Sequence, residues 1–144
     1  MKNTEEAIKN FEIMNCNQSV LSVYGPQFGL TTEQCLALGM SFGGGMGKQG
    51  KTCGAVTGAY LVIGLWSAKQ STVLLEQKRI AAQKVSEFNL HFEAQNGSCE
   101  CNSLLKYDIR DPKEFEKIQS LNLFENLCPK LVANSTEILD KILV

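Results

Sequence analysis

Four of the six cysteines occupy positions that suggest a shared chemical role, namely Cys16, Cys53, Cys101 and Cys128. The sequence predicts a helix start at the last three of these. A thiol at a helix start lies near free backbone N–H groups and the positive end of the helix dipole, which favour its thiolate form. Because thiolates bind metals and carry out redox chemistry, these residues indicate a thiol or metal–thiolate site.

The spacing of these cysteines differs from that of a zinc finger. They lie 37, 48 and 27 residues apart, so none forms a short C-x-x-C pair. A common site therefore requires a fold that joins four separate segments, as helical bundles do when facing helices build a cofactor site. Of the other two cysteines, Cys35 is predicted to fill the core as a small apolar residue. Cys99 lies close to Cys101, and the sequence leaves open whether it assists Cys101 or substitutes for it.

The elements that must position these cysteines are predicted to be helices, because no segment shows the sustained alternation of a strand. We expect an all-α protein, a single-domain helical bundle of about five to seven helices over residues 1–144. The predicted helices run from Asn3 or Thr4 to Tyr24, from Thr31 to Met40, from near Thr52, from Ser71 to Asn96, after Ser98, from Asp111, and from Cys128. The start signals include a capping box from Thr31 to Gln34 and an Asp111-Pro112 pair with Glu114 returning the capping bond.

Helical spacing of the apolar residues predicts which faces are buried. In the first helix the inward residues are Ile13, Cys16, Val20 and Val23. The third helix is apolar and is predicted to be central, with Gly54 and Gly58 allowing a neighbouring backbone to approach closely. The fourth and last helices each present one inward stripe, formed by Leu74, Ala81, Val85, Phe88 and Phe92, and by Leu131, Ser135, Ile138 and Ile142.

The segment from Gly45 to Thr52, GMGKQGKT, matches the P-loop pattern G-x-x-x-x-G-K-[ST], and Gly45, Gly47 and Gly50 match the dinucleotide pattern G-x-G-x-x-G. Both motifs require a preceding β-strand, whereas the sequence before Gly45 carries a helix cap and no β-branched run. We therefore interpret the segment as a turn between closely packed helices and expect no nucleotide.

Composition excludes several classes of function. With 14 basic and 15 acidic residues the net charge is −1, and no basic footprint for nucleic acid is present. The longest apolar stretch, residues 55–66, falls short of the roughly 20 residues that span a bilayer. The charged N-terminal segment lacks the apolar core of a signal peptide. We expect a cytoplasmic protein, in which thiols are kept reduced.

The cysteine segments resemble those of the C_GCAxxG_C_C family of redox-active proteins. Residues 53–58, CGAVTG, fit its C-G-A-x-x-G signature, and residues 42–47, FGGGMG, fit the glycine stretch before it. The segments around Cys16, Cys101 and Cys128 resemble the other cysteine segments in the same order, although Lys106 stands where a glycine is common.

The resemblance implies that Cys16, Cys53, Cys101 and Cys128 act together, with an iron–sulfur cluster or another thiolate-bound metal such as zinc as the expected cofactor. If one ion is shared, their sulfurs lie roughly 4 Å apart, since each metal–sulfur bond is about 2.3 Å long. Cys35 is expected to lie elsewhere.

Three functions remain open from the sequence. The first is a redox or electron-transfer protein with a metal at the four cysteines. The second is a metal-free dithiol–disulfide protein whose attacking thiol is Cys53, flanked by Lys51. The third is a binding module held by a structural metal. The redox partner, the oligomeric state and any enzymatic activity are not specified by the sequence.

Overall fold

The computed structural model describes residues 2–144, and every regular element within them is helical. The described residues form nine α-helices, so the all-α bundle prediction is confirmed. They are α1 (Lys2–Asn10), α2 (Cys16–Tyr24), α3 (Thr32–Gly39), α4 (Gly54–Ser67), α5 (Leu74–Asn96), α6 (Cys101–Leu105), α7 (Pro112–Ser120), α8 (Leu123–Asn126) and α9 (Cys128–Ile142). The helices outnumber the expected five to seven because the first predicted helix is divided and the short α8 precedes α9.

The division of the first predicted helix is a correction. The chain leaves α1 after Asn10 and begins α2 at Cys16, with Asn15 as the N-cap. The Asn15 side chain accepts a hydrogen bond from the Gln18 amide, and the Gln18 side chain accepts one from the Asn15 amide. This capping box stabilises a new helix start, so Ile13 lies in the intervening turn with 86% of its surface exposed.

The central helix is α4, as the sequence predicts. Its residues Ala55, Val56, Ala59, Val62 and Ile63 are fully buried, and it packs against α2, α5 and α9. The approach of α2 is close because a Cβ atom added at Gly58 would lie 2.9 Å from the Asn17 carbonyl oxygen. One added at Gly54 would lie 2.8 Å from the Cys16 Cβ. Glycine at these two positions therefore brings the start of α2 against the start of α4.

The outer helices differ from their predicted signals at three points. The first is that α5 begins at Leu74 rather than at Ser71, whose hydroxyl accepts a hydrogen bond from the Val73 amide. The predicted inward stripe of α9 is buried throughout. In α5, however, only Phe88 and Phe92 of the predicted stripe are buried, and Leu74 is 68% exposed because the N-terminal end of the helix extends beyond the core. The Asp111 side chain caps α7, but the Glu114 side chain accepts from the Asp108 amide rather than returning a bond to Asp111.

Within residues 2–144, no helix combines the length and apolar character needed to cross a membrane.

Candidate functional site

The four predicted site residues, Cys16, Cys53, Cys101 and Cys128, line one cavity of about 590 Å³. Cys53 and Cys128 are buried, whereas Cys16 and Cys101 are partly accessible. Cys35 lies in another part of the core, where its sulfur packs against the backbone of Gly25. The fold thus brings together the thiols that the sequence grouped, from segments far apart in the chain.

Each of the four cysteines stands at the start of a different helix. Cys53 is the N-cap of α4, and Cys16, Cys101 and Cys128 are the first residues of α2, α6 and α9. Sequence reasoning found three of these starts and placed Cys16 inside a longer helix. The signal for the fourth was present, because Asn15 and Gln18 have the spacing of a capping box. The helical spacing of apolar residues through the same segment predicted one continuous helix and so masked this capping signal.

A short backbone pairing holds Cys53 beside Cys101. The Cys53 amide donates to the Cys99 carbonyl over 2.8 Å, and the Cys101 amide donates to the Lys51 carbonyl over 2.6 Å. Thr52 and Glu100 form an isolated antiparallel bridge between these bonds. Sequence reasoning missed this pairing because two such short segments carry no periodic pattern.

This pairing also settles the placement of Cys99. Its carbonyl supports the Cys53 amide, while its thiol is turned toward Asn89, with the sulfur 3.8 Å from the Asn89 Oδ1 atom. Cys99 is buried and does not line the cavity. Its position is that of a structural neighbour of the site rather than a substitute for Cys101.

The glycine-rich segment before α4 forms one wall of the cavity. Residues 44–48 all have positive φ angles, between 62° and 73°, including the non-glycine residues Met46 and Lys48. A Cβ atom at Gly45 would lie 2.6 Å from the Cys101 Cβ, so glycine lets this wall reach the thiols. Residues 2–144 contain no strand before the segment, which is the context that a P-loop or dinucleotide motif requires.

Burial changes the expected acidity of the thiols. It raises the pKa of Cys53 to about 12, although hydrogen bonds from the Ala55 and Val56 amides at the helix start act in the opposite direction. Burial, followed by the nearby Cys128 and Glu100, raises the pKa of Cys101 to about 12. For these two residues the pKa shifts run opposite to the expected preference for the thiolate, because loss of solvation is the largest influence.

Cys16 and Cys128 are neighbouring thiols whose acidities are linked. Their side-chain interaction lowers the pKa of Cys128 and raises that of Cys16 well above its ordinary value. Burial and the Glu125 carboxylate oppose the shift at Cys128 without reversing it. Of the four thiols at the cavity, Cys128 is the one whose environment favours the thiolate.

In the part of the chain that the structure describes, no three His, Cys, Asp or Glu side chains are arranged to hold one metal ion. The sulfur separations of roughly 4 Å expected around a shared ion stay a prediction.

The fold and the site together define an all-α protein with four cysteines, each at a helix start, around one cavity. The family model described as "Putative redox-active protein (C_GCAxxG_C_C)" matches residues 14–142, and the chain belongs to this family. The match includes all four cysteines and the CGAVTG segment. No curated protein and no solved structure matches the chain.

Proposed function

We propose that the protein is an electron-transfer protein in which Cys16, Cys53, Cys101 and Cys128 together hold an iron–sulfur cluster. The observation that carries this proposal is that four thiols, each at the start of a different helix, line one cavity. Clusters with four cysteine ligands distribute the thiolates over several irons, so their ligands stand further apart than those of one zinc ion. A cluster bound there would exchange single electrons.

The surroundings of the four thiols support this cofactor. Four helix starts direct their positive dipole ends toward the site, which offsets the negative charge of bound thiolates. Backbone amides near a cluster and an apolar wall are the features by which proteins set its potential. Here Leu104, Phe115 and Phe124 supply part of that wall.

The test is anaerobic reconstitution of the reduced protein with iron and sulfide, followed by visible absorption and analysis of iron and acid-labile sulfide. We expect a broad visible band in the wild type and its loss in Cys53→Ser, because serine is a poor ligand for such a cluster. Cys35→Ser is the matched control, since Cys35 is a buried thiol outside the cavity. A wild type that binds no iron, or a Cys53→Ser variant that retains a full cluster, would contradict the proposal.

A second candidate function is metal-free dithiol–disulfide exchange, which is favoured by the neighbouring thiols Cys16 and Cys128 and the opposite shifts of their pKa values. In this scheme the Cys128 thiolate attacks a disulfide acceptor and displaces one acceptor thiol, which leaves a mixed disulfide. The Cys16 thiol loses its proton and displaces the second acceptor thiol. The protein gains one disulfide, and the acceptor takes up two electrons and two protons. This assignment replaces Cys53 with Cys128 as the attacking residue.

The second candidate predicts a specific cross-link. After equilibration of the metal-free protein with oxidised glutathione, we expect peptide mapping to find a Cys16–Cys128 disulfide, in the wild type and in Cys53→Ala alike. A disulfide that consistently includes Cys53, or six thiols that remain free, would exclude this scheme.

A further inference from the structure

The cavity is larger than the thiols themselves require. Its volume of about 590 Å³ is in the range of sites that enclose small organic molecules. Apart from the cysteines and the glycine-rich wall, its lining is dominated by apolar side chains, among them Phe11, Met14, Met40, Leu104 and Phe124. Such a lining binds an apolar molecular body, because burial of apolar surface on both partners drives the association.

The cavity lining also carries a single cation. Lys48 is exposed and is the one basic residue among the described lining residues. No aspartate or glutamate contributes to the described lining, and no salt bridge recorded for residues 2–144 involves Lys48. The described lining therefore offers a ligand one cation and no carboxylate.

The backbone conformation fixes the position from which the Lys48 side chain extends. Lys48 has a φ angle of 62°, and its amide donates to the Gly43 carbonyl over 2.8 Å. A left-handed conformation at a non-glycine residue is strained, and such strain is concentrated at functional sites. Glycine would adopt this conformation without strain, so the lysine contributes its side chain at a cost to stability.

We propose that the cavity binds a small organic anion with an apolar body and one negatively charged group. The body packs against the apolar wall with its far end toward the thiols, and the negative group pairs with Lys48 at the rim. Such an anion is the class of redox substrate that we assign to the thiol site. Its role as a substrate rests on the proposed function, whereas the binding test below does not require a cluster.

The test compares two probes that differ in charge, anilinonaphthalene sulfonate and the neutral phenylnaphthylamine, with the full reduced chain. We expect saturable fluorescence of the sulfonate that is weakened about threefold to tenfold in Lys48→Gly, as for the loss of one partly solvated ion pair. Binding of the neutral probe should stay unchanged in this variant. Lys48→Arg should retain the affinity for the sulfonate, and Met14→Trp, which fills the cavity, should weaken both probes.

Lys106→Gly is the matched control, because Lys106 is also an exposed lysine with a φ angle of 65° but lies at the end of α6, outside the cavity lining. Glycine relieves backbone strain in both variants, so both are expected to fold. Equal affinity for the sulfonate in Lys48→Gly and Lys106→Gly would overturn the proposal, as would equal losses for the two probes in Lys48→Gly. Cluster reconstitution is measured separately, so failure of the cluster and failure of this ligand class give different results.

Discussion

Replacement of Gly58 by alanine is expected to lower the free energy of unfolding by about 1 kcal/mol. The new Cβ atom would lie 2.9 Å from the Asn17 carbonyl oxygen and 3.1 Å from the Val20 Cβ. These atoms belong to the backbone and the branch point of α2, so α2 must move away from α4. Overpacking of this kind costs about 1–3 kcal/mol, which exceeds the gain of up to about 1 kcal/mol from alanine in a helix. Urea unfolding of the reduced protein measures the change.

The same helix supplies the control. A Cβ atom at Gly64 meets no heavy atom within 4 Å, so Gly64→Ala should stabilise the protein by about 0.5–1 kcal/mol through helix propensity alone. Stabilisation by both substitutions would show that α2 does not pack on α4 as closely as described. Because α2 begins with Cys16, we also expect Gly58→Ala to reduce cluster content after reconstitution, whereas Gly64→Ala should leave it unchanged.

The stability of the reduced, metal-free protein should fall steeply as the pH rises above 9. The pKa of Cys53 is about 12 in the folded protein and near 9.0 when unperturbed, so the unfolded chain releases this proton first. Between these values the folded state holds more protons than the unfolded state, and stability decreases with pH. For Cys53 alone the loss is up to about 1.4 kcal/mol for each pH unit. Chemical unfolding at several pH values from 8 to about 11 measures the slope.

Two alanine variants separate the contributions of Cys53 and Cys128 to the pH dependence of stability, which have opposite signs. Cys53→Ala should reduce the alkaline slope by about one proton. Cys128→Ala should also change the profile below pH 9, because the lowered pKa of Cys128 gives stability that is present above its unfolded pKa and is lost as the pH falls through its folded pKa. An unchanged alkaline slope in Cys53→Ala would refute burial as the dominant influence on this thiol.

Local signals in the sequence were enough to predict most helix ends. Thr31 and Gln34 form the predicted capping box, and Gly97 ends α5 in a left-handed conformation. These features depend on residues within a few positions of one another, so their physics is contained in a short stretch of chain. The class of the fold and the membership of the family followed from such signals and from the order of the cysteine segments.

The division between α1 and α2 shows where local signals compete. Asn15 and Gln18 favour a new helix start, while the apolar spacing from Ile13 to Val23 favours one continuous helix. The burial of α2 against α4 decides between them, because only a helix that begins at Cys16 brings Asn17 and Val20 against Gly58. That contact joins residues about 40 positions apart and is not contained in either local pattern.

By itself the sequence determined that the protein is helical and that Cys53, Cys101 and Cys128 stand at helix starts. The tertiary structure decided that Cys16 also stands at a helix start, that the four thiols line one cavity, and that the pKa of Cys128 is lowered while that of Cys53 is raised. The reason is physical. A helix start is set by neighbouring residues, whereas the solvation of a thiol and its distance from other thiols depend on the packing of helices from the whole chain.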